Sequence, residues 1–447
     1  MNKNKDMDML NGPLLGKILI FALPLALSSI LQQLFNSADI AVVGRFAGNE
    51  ALAAVGSNEA VISLLINIFV GLSIGANVIV AKYYGQANKE KITHAVHTSI
   101  LIAIISGLFL IVFGFFATKI LLEMMGTPED VIELAGLYLR IYFVGMPFIM
   151  VYNFGSAILR SVGDTKRPLI CLIIAGILNV ILNLFFVIIC NLSVAGVAIA
   201  TVISNMVSSG MILYILAHEK RDIHLDLKKL AIDKKILGEI IKIGVPAGVQ
   251  GMVFSISNVC IQASINSFGS TAIAGSAAAL NFEYFAYFLL NAFTQAAVTF
   301  TSQNFGAKKY HRCRKIAIVC SVTAIVFTTA LCCIFLLFKD RFISIYTADA
   351  AVKEYGIIRM KYVLLLEAFN VLMDVMSGAI RGMGYSTLPA VIAIAGVCGF
   401  RLIWVSTVFQ KFHTFEMLLT VYPVSWFLTC IGIITAYILV SRKFMQE

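Results

Sequence analysis

Charge is scarce in this chain. Of its 447 residues, 13% are Asp, Glu, Lys or Arg and 60% are hydrophobic. A soluble domain carries about a quarter charged residues, so a soluble globular protein and a disordered chain are both excluded. The nine cysteines are odd in number, lie mostly in apolar runs and show no CxxC spacing. They read as small buried hydrophobes, which excludes a disulfide framework and a metal site. The phosphate-cradling GxxxxGK[ST] loop is missing, so ATP does not drive this protein directly. HExxH and GxSxG are missing too, and nothing marks an enzyme. Ten-residue alternating strands, the signature of a transmembrane barrel, are absent.

Long apolar runs are what the chain has instead. They fall at 14–43, 51–81, 93–117, 131–159, 168–190 and 194–217, then at 237–265, 271–304, 314–338, 352–379, 388–409 and 415–440. A helix needs about 20 apolar residues to cross a bilayer. The expected fold is therefore an all-α polytopic membrane protein with twelve spans. The opening MNKNKDMDMLNGPLLGK does not read as a signal peptide, so the run after it should stay as a helix. The net charge of +10 reads as the positive-inside bias of loops, not as a nucleic-acid surface. Lys82, Lys89, Lys91, Arg160, Lys166, Arg167, the cations of 220–235 and 308–315, Arg381, Arg442 and Lys443 lie on one side. That side should be cytoplasmic, and both termini with it.

The chain repeats itself. LLGKILIFALP (14–24) returns as ILGEIIKIGVP (236–246), and RSVGDTKRP (160–168) returns as RGMGYSTLP (381–389). YYGQANKEK (83–91) aligns with NFGAKKYHR (304–312), and Asn36 maps to Asn258. The offset is 222 residues early and 221 later. Two six-span lobes follow, 1–217 and 237–447, joined by a polar cytoplasmic linker at 218–236. Six is even, so both lobes enter the membrane in the same direction. Such parallel repeats are related by an axis along the membrane normal.

DIAVVGRFAGNEALAAVG (39–56), GLSIGANVIVAKYYGQANKEK (71–91), LYLRIYFVGMPF (137–148) and RSVGDTKRP (160–168) resemble the multidrug and toxic compound extrusion (MATE) family, in its bacterial DinF-like branch. The resemblance covers nearly the whole chain. It implies twelve helices in two lobes. It also implies export of organic, often cationic, compounds in exchange for protons or sodium.

Acids inside apolar spans are costly and mark functional sites. Gln32, Asn36 and Asp39 lie at i, i+4 and i+7 on span 1, with Ser28 and Ser29 continuing the stripe. A carboxylate there can exchange a proton or hold a cation. Asn179 and Asn183 stand one turn apart on span 5, and Thr201 on span 6 can join them. The coupling-ion set is then Asp39, Asn36, Asn179, Asn183 and Thr201. In the family this span-5 stretch often reads Asn-x-x-x-Asp, so Asn183 removes one carboxylate and favours protons over sodium. The substrate set is Gln32, Asn153, Asn281, Glu283, Glu367, Asn370 and Asp374. Glu59 and Asn67 add polar positions on span 2. Arg401, deep in span 11, calls for an acid, with Glu283, Glu367 and Asp374 as candidates for a structural ion pair.

The expected function is a secondary-active antiporter working by alternating access, exporting organic cations from a bacterial plasma membrane. No cofactor beyond the coupling ion is expected, no nucleic-acid partner and no metal, and the chain should act as a monomer. The alternative is a flippase for an amphiphilic or lipid-linked metabolite on the same plan. A phosphate headgroup would call for a cavity of Arg and Lys, whereas acids and amides predominate among the expected buried groups.

Overall fold

A computed structural model of the chain describes residues 7–124, 127 and 129–445. The side chains of 49, 57, 59–61, 64, 124, 130 and 445, Glu59 among them, lie outside the described residues. All regular structure among the described residues is helical. The first half runs α1 (Leu14–Phe46), α2 (Asn49–Gly85), α3 (Lys89–Met124), α4 (Glu129–Val144), α5 (Met146–Ser161), α6 (Lys166–Leu184) and α7 (Ser193–Ala217). The second runs α8 (Lys234–Asn266), α9 (Ser270–Gly306), α10 (Tyr310–Leu337), α11 (Lys339–Ser344), α12 (Ala350–Leu364), α13 (Glu367–Gly382), α14 (Thr387–Ala393), α15 (Phe400–Ser406), α16 (Val408–Lys411) and α17 (Phe415–Met445).

Ten described helical segments are long and apolar enough to cross a membrane, and two bent pairs bring the spans to twelve. Span 4 bends by 48° between α4 and α5, and span 10 by 45° between α12 and α13. Pro147, at the start of α5, accounts for the first bend, because it has no N–H to continue the helix ladder. The second bend stands at the repeat-equivalent place, Leu365–Leu366, without a proline. Span 11 is broken differently. A wider i→i+5 stretch, Ile394–Gly399, separates α14 from α15, and a similar stretch, Phe185–Ile189, ends span 5 after α6.

The repeat is written in the backbone. Gly48 and Gly269 both take a left-handed conformation (φ 92° and 86°), as do Gly163 and Gly384 (88° and 90°). Ala87 and Lys308 do the same at 53° and 57°. All three pairs stand 221 residues apart. A side chain with a Cβ pays for that conformation with a steric clash, so the two halves keep equivalent turns.

Packing divides the chain differently from the repeat. One compact unit contains Leu27–Gly248, and the other contains Asp8–Ala26 with Val249–Glu447. The lobes read as 1–217 and 237–447 therefore each give up a piece. The first half of α1 belongs to the second unit, and the first half of α8 to the first. Each helix changes units two residues after a proline, Pro24 in α1 and Pro246 in α8.

In the first unit a glycine seam fastens α8. A Cβ on Gly71 would lie 2.3 Å from the Gly248 nitrogen, and one on Gly75 would lie 2.5 Å from the Ile240 carbonyl oxygen. Gly71 and Gly75 face Gly244 and Gly248, two small-xxx-small pairs whose backbones touch. The segment 218–236 is strapped to the same unit. Asp233 caps α8 by accepting from Lys235 N (2.8 Å) and Ile236 N (3.1 Å), and its other oxygen meets His94 at 3.2 Å. His97 accepts from Asp226 N at 3.2 Å, and Lys82 pairs with Glu239 at 3.2 Å. Glu219 sits between Arg167 and Arg221, each hydrogen-bonded to it. Burial opposes its charge, but the two guanidiniums outweigh burial and hold its pKa down at about 2.

Candidate functional site

In the first unit the site starts from a missing side chain. A Cβ on Gly176 of α6 would lie within 1.9 Å of the Phe35 ring of α1. Glycine there lets α1 press onto α6, and one turn further along α1 stands Asp39. Asn183 of α6 donates a hydrogen bond to the Asp39 carboxylate. The same amide donates to Asn179 Oδ1 at 3.2 Å. Asn179 donates to Thr201 Oγ1 of α7 at 3.4 Å, and Thr201 donates to the Val197 carbonyl at 2.9 Å. Asn179 and Asn183 are buried, whereas Asp39 keeps partial exposure. The amide oxygen of Asn183 is buried with no hydrogen-bond partner among the described residues. Immediately beyond, α6 widens into the i→i+5 stretch at Phe185–Ile189, a feature that recurs at functional sites.

Four residues assigned to ion coupling are therefore joined across three helices. Asn36 is not. It is exposed, as is Gln32, and neither makes a side-chain hydrogen bond among the described residues.

The second unit corrects the reading of Arg401. It makes no ion pair with Glu283, Glu367 or Asp374. Instead it donates to Asn258 Oδ1 at 3.3 Å and to Ser425 Oγ at 3.4 Å, and its guanidinium stands 4.4 Å from the Tyr422 ring centre. The acid is already taken. Glu283 receives a two-pronged pair from Arg359, at 2.6 and 2.9 Å, and Arg359 is 4% exposed. Arg359 escapes the sequence reading, although an arginine eight residues before Glu367 in an apolar run is the same signal that singles out Arg401. A planar guanidinium matches a carboxylate on both oxygens. That pair takes Glu283 from Arg401, which turns to amide, hydroxyl and ring acceptors.

Of the other residues assigned to substrate, Glu367 is buried and accepts from Asn370 at 2.8 Å. Asn281 and Asn153 bond back to their own helices, to the Ala277 and Ile149 carbonyls, both at 2.9 Å. Asp374 is half-buried on α13, two turns from Arg381, which donates to Gln250 Oε1. The repeat gives this unit a further meaning. Asn258, Tyr422 and Ser425 are the counterparts of Asn36, Thr201 and Ser204. Where the first unit holds an acid among amides, the second holds a guanidinium.

Comparison with known proteins agrees with this architecture. The sequence model of the MatE family matches residues 24–185 and 246–405, once in each half. The chain is similar to the "Probable multidrug resistance protein YoeA" of Bacillus subtilis (strain 168), 28% identical over 394 residues, covering 85% of this chain and 84% of the relative. It is 26% identical over 393 residues to the "Probable multidrug resistance protein NorM" of Thermotoga maritima, covering 86% and 84%. Its fold matches that of a multidrug resistance MATE family transporter of the MOP superfamily in an outward-facing conformation, with TM-score 0.91, 21% identity and full coverage of both chains. A MOP superfamily transporter from Pyrococcus furiosus, described as having a binding pocket of reversed polarity, gives TM-score 0.92 at 21% identity, again over both whole chains.

Proposed function

From the membership of this chain in the MatE family of membrane transporters, we propose that it is a secondary-active multidrug exporter of a bacterial plasma membrane, with both termini cytoplasmic. It exchanges organic cations for a coupling ion bound at Asp39. The observation that carries this reading is the Asp39–Asn183–Asn179–Thr201 chain, with its buried, unpartnered Asn183 oxygen.

The chemistry favours a proton. A buried acceptor without a donor costs free energy. A neutral carboxylic acid beside it supplies one O–H donor, so the cluster gains a hydrogen bond when Asp39 is protonated. A sodium ion would find one carboxylate and neutral oxygens, where a hard cation prefers several oxygens, charged ones included. Protonation also removes the charge that holds an organic cation. The two ligands then favour different states of one carrier, which is what exchange requires.

Proteoliposomes loaded with a fluorescent organic cation test this, with proton and sodium gradients imposed separately. The wild type should export with the proton gradient alone. Asp39→Asn, a permanent mimic of the neutral acid, should keep expression and lose gradient-driven export. Near wild-type export by Asp39→Asn would remove the residue from the mechanism.

A further inference from the structure

Five cations follow one another closely at the start of span 9: Lys308, Lys309, Arg312, Arg314 and Lys315. Among the described residues none of them pairs with an acid. Several cations of the first unit behave otherwise. There Lys82 meets Glu239 at 3.2 Å, Lys89 meets Asp222 at 3.4 Å, and Lys229 meets Asp226 at 3.4 Å. Arg167 and Arg221 share Glu219, Arg221 at 2.6 Å. The repeat makes the contrast sharp, because Glu90 of the first half is His311 in the second.

Three of the five cations, Lys308, Lys309 and Arg312, line a cavity of about 640 Å³ together with Tyr310, His311 and Phe444. No acid lines it. Lys309 reaches the Leu10 carbonyl at 3.0 Å and Asn11 Oδ1 at 2.9 Å. Arg312 reaches the Asn11 and Gly12 carbonyls, both at 2.9 Å. These neutral acceptors position the two side chains and leave their charges uncancelled. Asp8, the acid of this arm among the described residues, is engaged by the backbone N–H groups of Leu10 at 2.9 Å and Asn11 at 3.1 Å.

The face that leads away from the cavity is apolar. His311, Lys315, Ile318, Val322 and Val326 follow at helical spacing along α10, and all five are exposed. Cations at the end of a span followed by an exposed aliphatic stripe match the two parts of a lipid. Basic pockets at the ends of membrane helices recognise phosphate headgroups. We propose that this cavity binds the phosphate group of an anionic phospholipid, with the acyl chains lying along the Ile318–Val322–Val326 face of α10. The site is separate from the Asp39 cluster and does not depend on what the protein transports.

The purified full-length protein, delipidated and returned to nanodiscs, tests the proposal by native mass spectrometry. Discs contain phosphatidylcholine alone or with phosphatidylglycerol, and a third arm adds inorganic phosphate to phosphatidylcholine discs. The expected result is tight retention of phosphatidylglycerol and none of phosphatidylcholine. Each cation removed near an anionic surface should weaken binding about fivefold. Lys308→Gln with Lys315→Gln, both exposed and outside the hydrogen bonds to the amino-terminal arm, should therefore weaken it about twenty-fivefold. Lys308→Gln with Arg312→Gln should do at least as much. Lys89→Gln, in the paired segment of the first unit, should leave retention unchanged. Equal retention of the two lipids, or wild-type retention by both double variants, overturns the proposal. Binding of inorganic phosphate with no preference for phosphatidylglycerol overturns it in favour of a soluble anion.

Discussion

Asp39 and Arg401 were both singled out as ionisable groups within apolar spans, yet the structure treats them differently. Asn179, Asn183 and Thr201 were legible as one group because the two amides are one turn apart and span 6 follows span 5 closely, whereas their meeting with Asp39 was implied by the family resemblance alone. A short loop makes such spans antiparallel neighbours, which brings Thr201 within reach. The partner of Arg401 was not legible, because the choice among three acids depends on distances between helices far apart in sequence. Arg359 removes one of the three by occupying both oxygens of Glu283. This yields a prediction. Removing one member of a buried ion pair strands the other, at about 3–5 kcal/mol. Arg359→Met alone and Glu283→Gln alone should each lower the thermal midpoint of the detergent-solubilised protein by more than the double variant does. Arg401→Met should not be rescued by Glu283→Gln. A rescue there, measured by the same thermal shift, would return the acid to Arg401.

Helices and their ends were read at the level of twelve spans, and that count stands. The bends in spans 4 and 10 and the i→i+5 breaks were not read, since only the first bend has a proline beside it. The glycine seam was present as two GxxxG patterns, but such patterns are common, and sequence alone does not say which two meet. The contact is now specific. Gly71→Leu would drive a side chain into the backbone of Gly248, so α2 and α8 must separate. Overpacking of this kind costs about 1–3 kcal/mol or more. Folded yield by fluorescence-detected size exclusion should fall sharply, and Ala292→Gly at the equivalent position of the second half should be mild by comparison. The 218–236 strap carries a pH signature. Glu219 has a folded pKa of about 2 against an ordinary 4.5. Its contribution to stability is therefore complete above about pH 4.5 and fades as pH falls toward 2. Melting curves between pH 6 and pH 3 should fall less steeply for Glu219→Gln than for wild type. Parallel curves would show that the two arginines do not depend on this carboxylate.

The whole chain is a duplicated plan whose halves have exchanged ends. The duplication was legible in RSVGDTKRP and RGMGYSTLP, and the paired left-handed turns repeat it in the backbone. The exchange was not legible, because nothing in the composition of Asp8–Ala26 or residues 234–248 says which unit each completes. The contacts do. Phe21 of α1 stands edge-on to Phe300 of α9 at 5.5 Å, and Asn304 donates to the Met9 carbonyl at 3.1 Å. In the first unit Glu239 accepts from Tyr83 at 3.0 Å, beside the glycine seam. A chain cut within the linker, between Asp226 and Leu227, therefore yields two incomplete units. The fragment 1–226 lacks the α8 strand of the seam and loses the Asp233 and Glu239 bonds. The fragment 227–447 lacks residues 8–26 and exposes the apolar bed of Phe300. Each backbone deprived of its packed partner must leave close-fitting small residues without contacts, and packing contacts are what hold membrane helices together. Expressed alone, each fragment should aggregate or be degraded. Expressed together, they should co-purify as one species and restore export of the fluorescent cation. A fragment 1–226 that purifies alone as a monodisperse, folded species would show that the first unit does not need α8, and the exchange of ends would then be dispensable for folding.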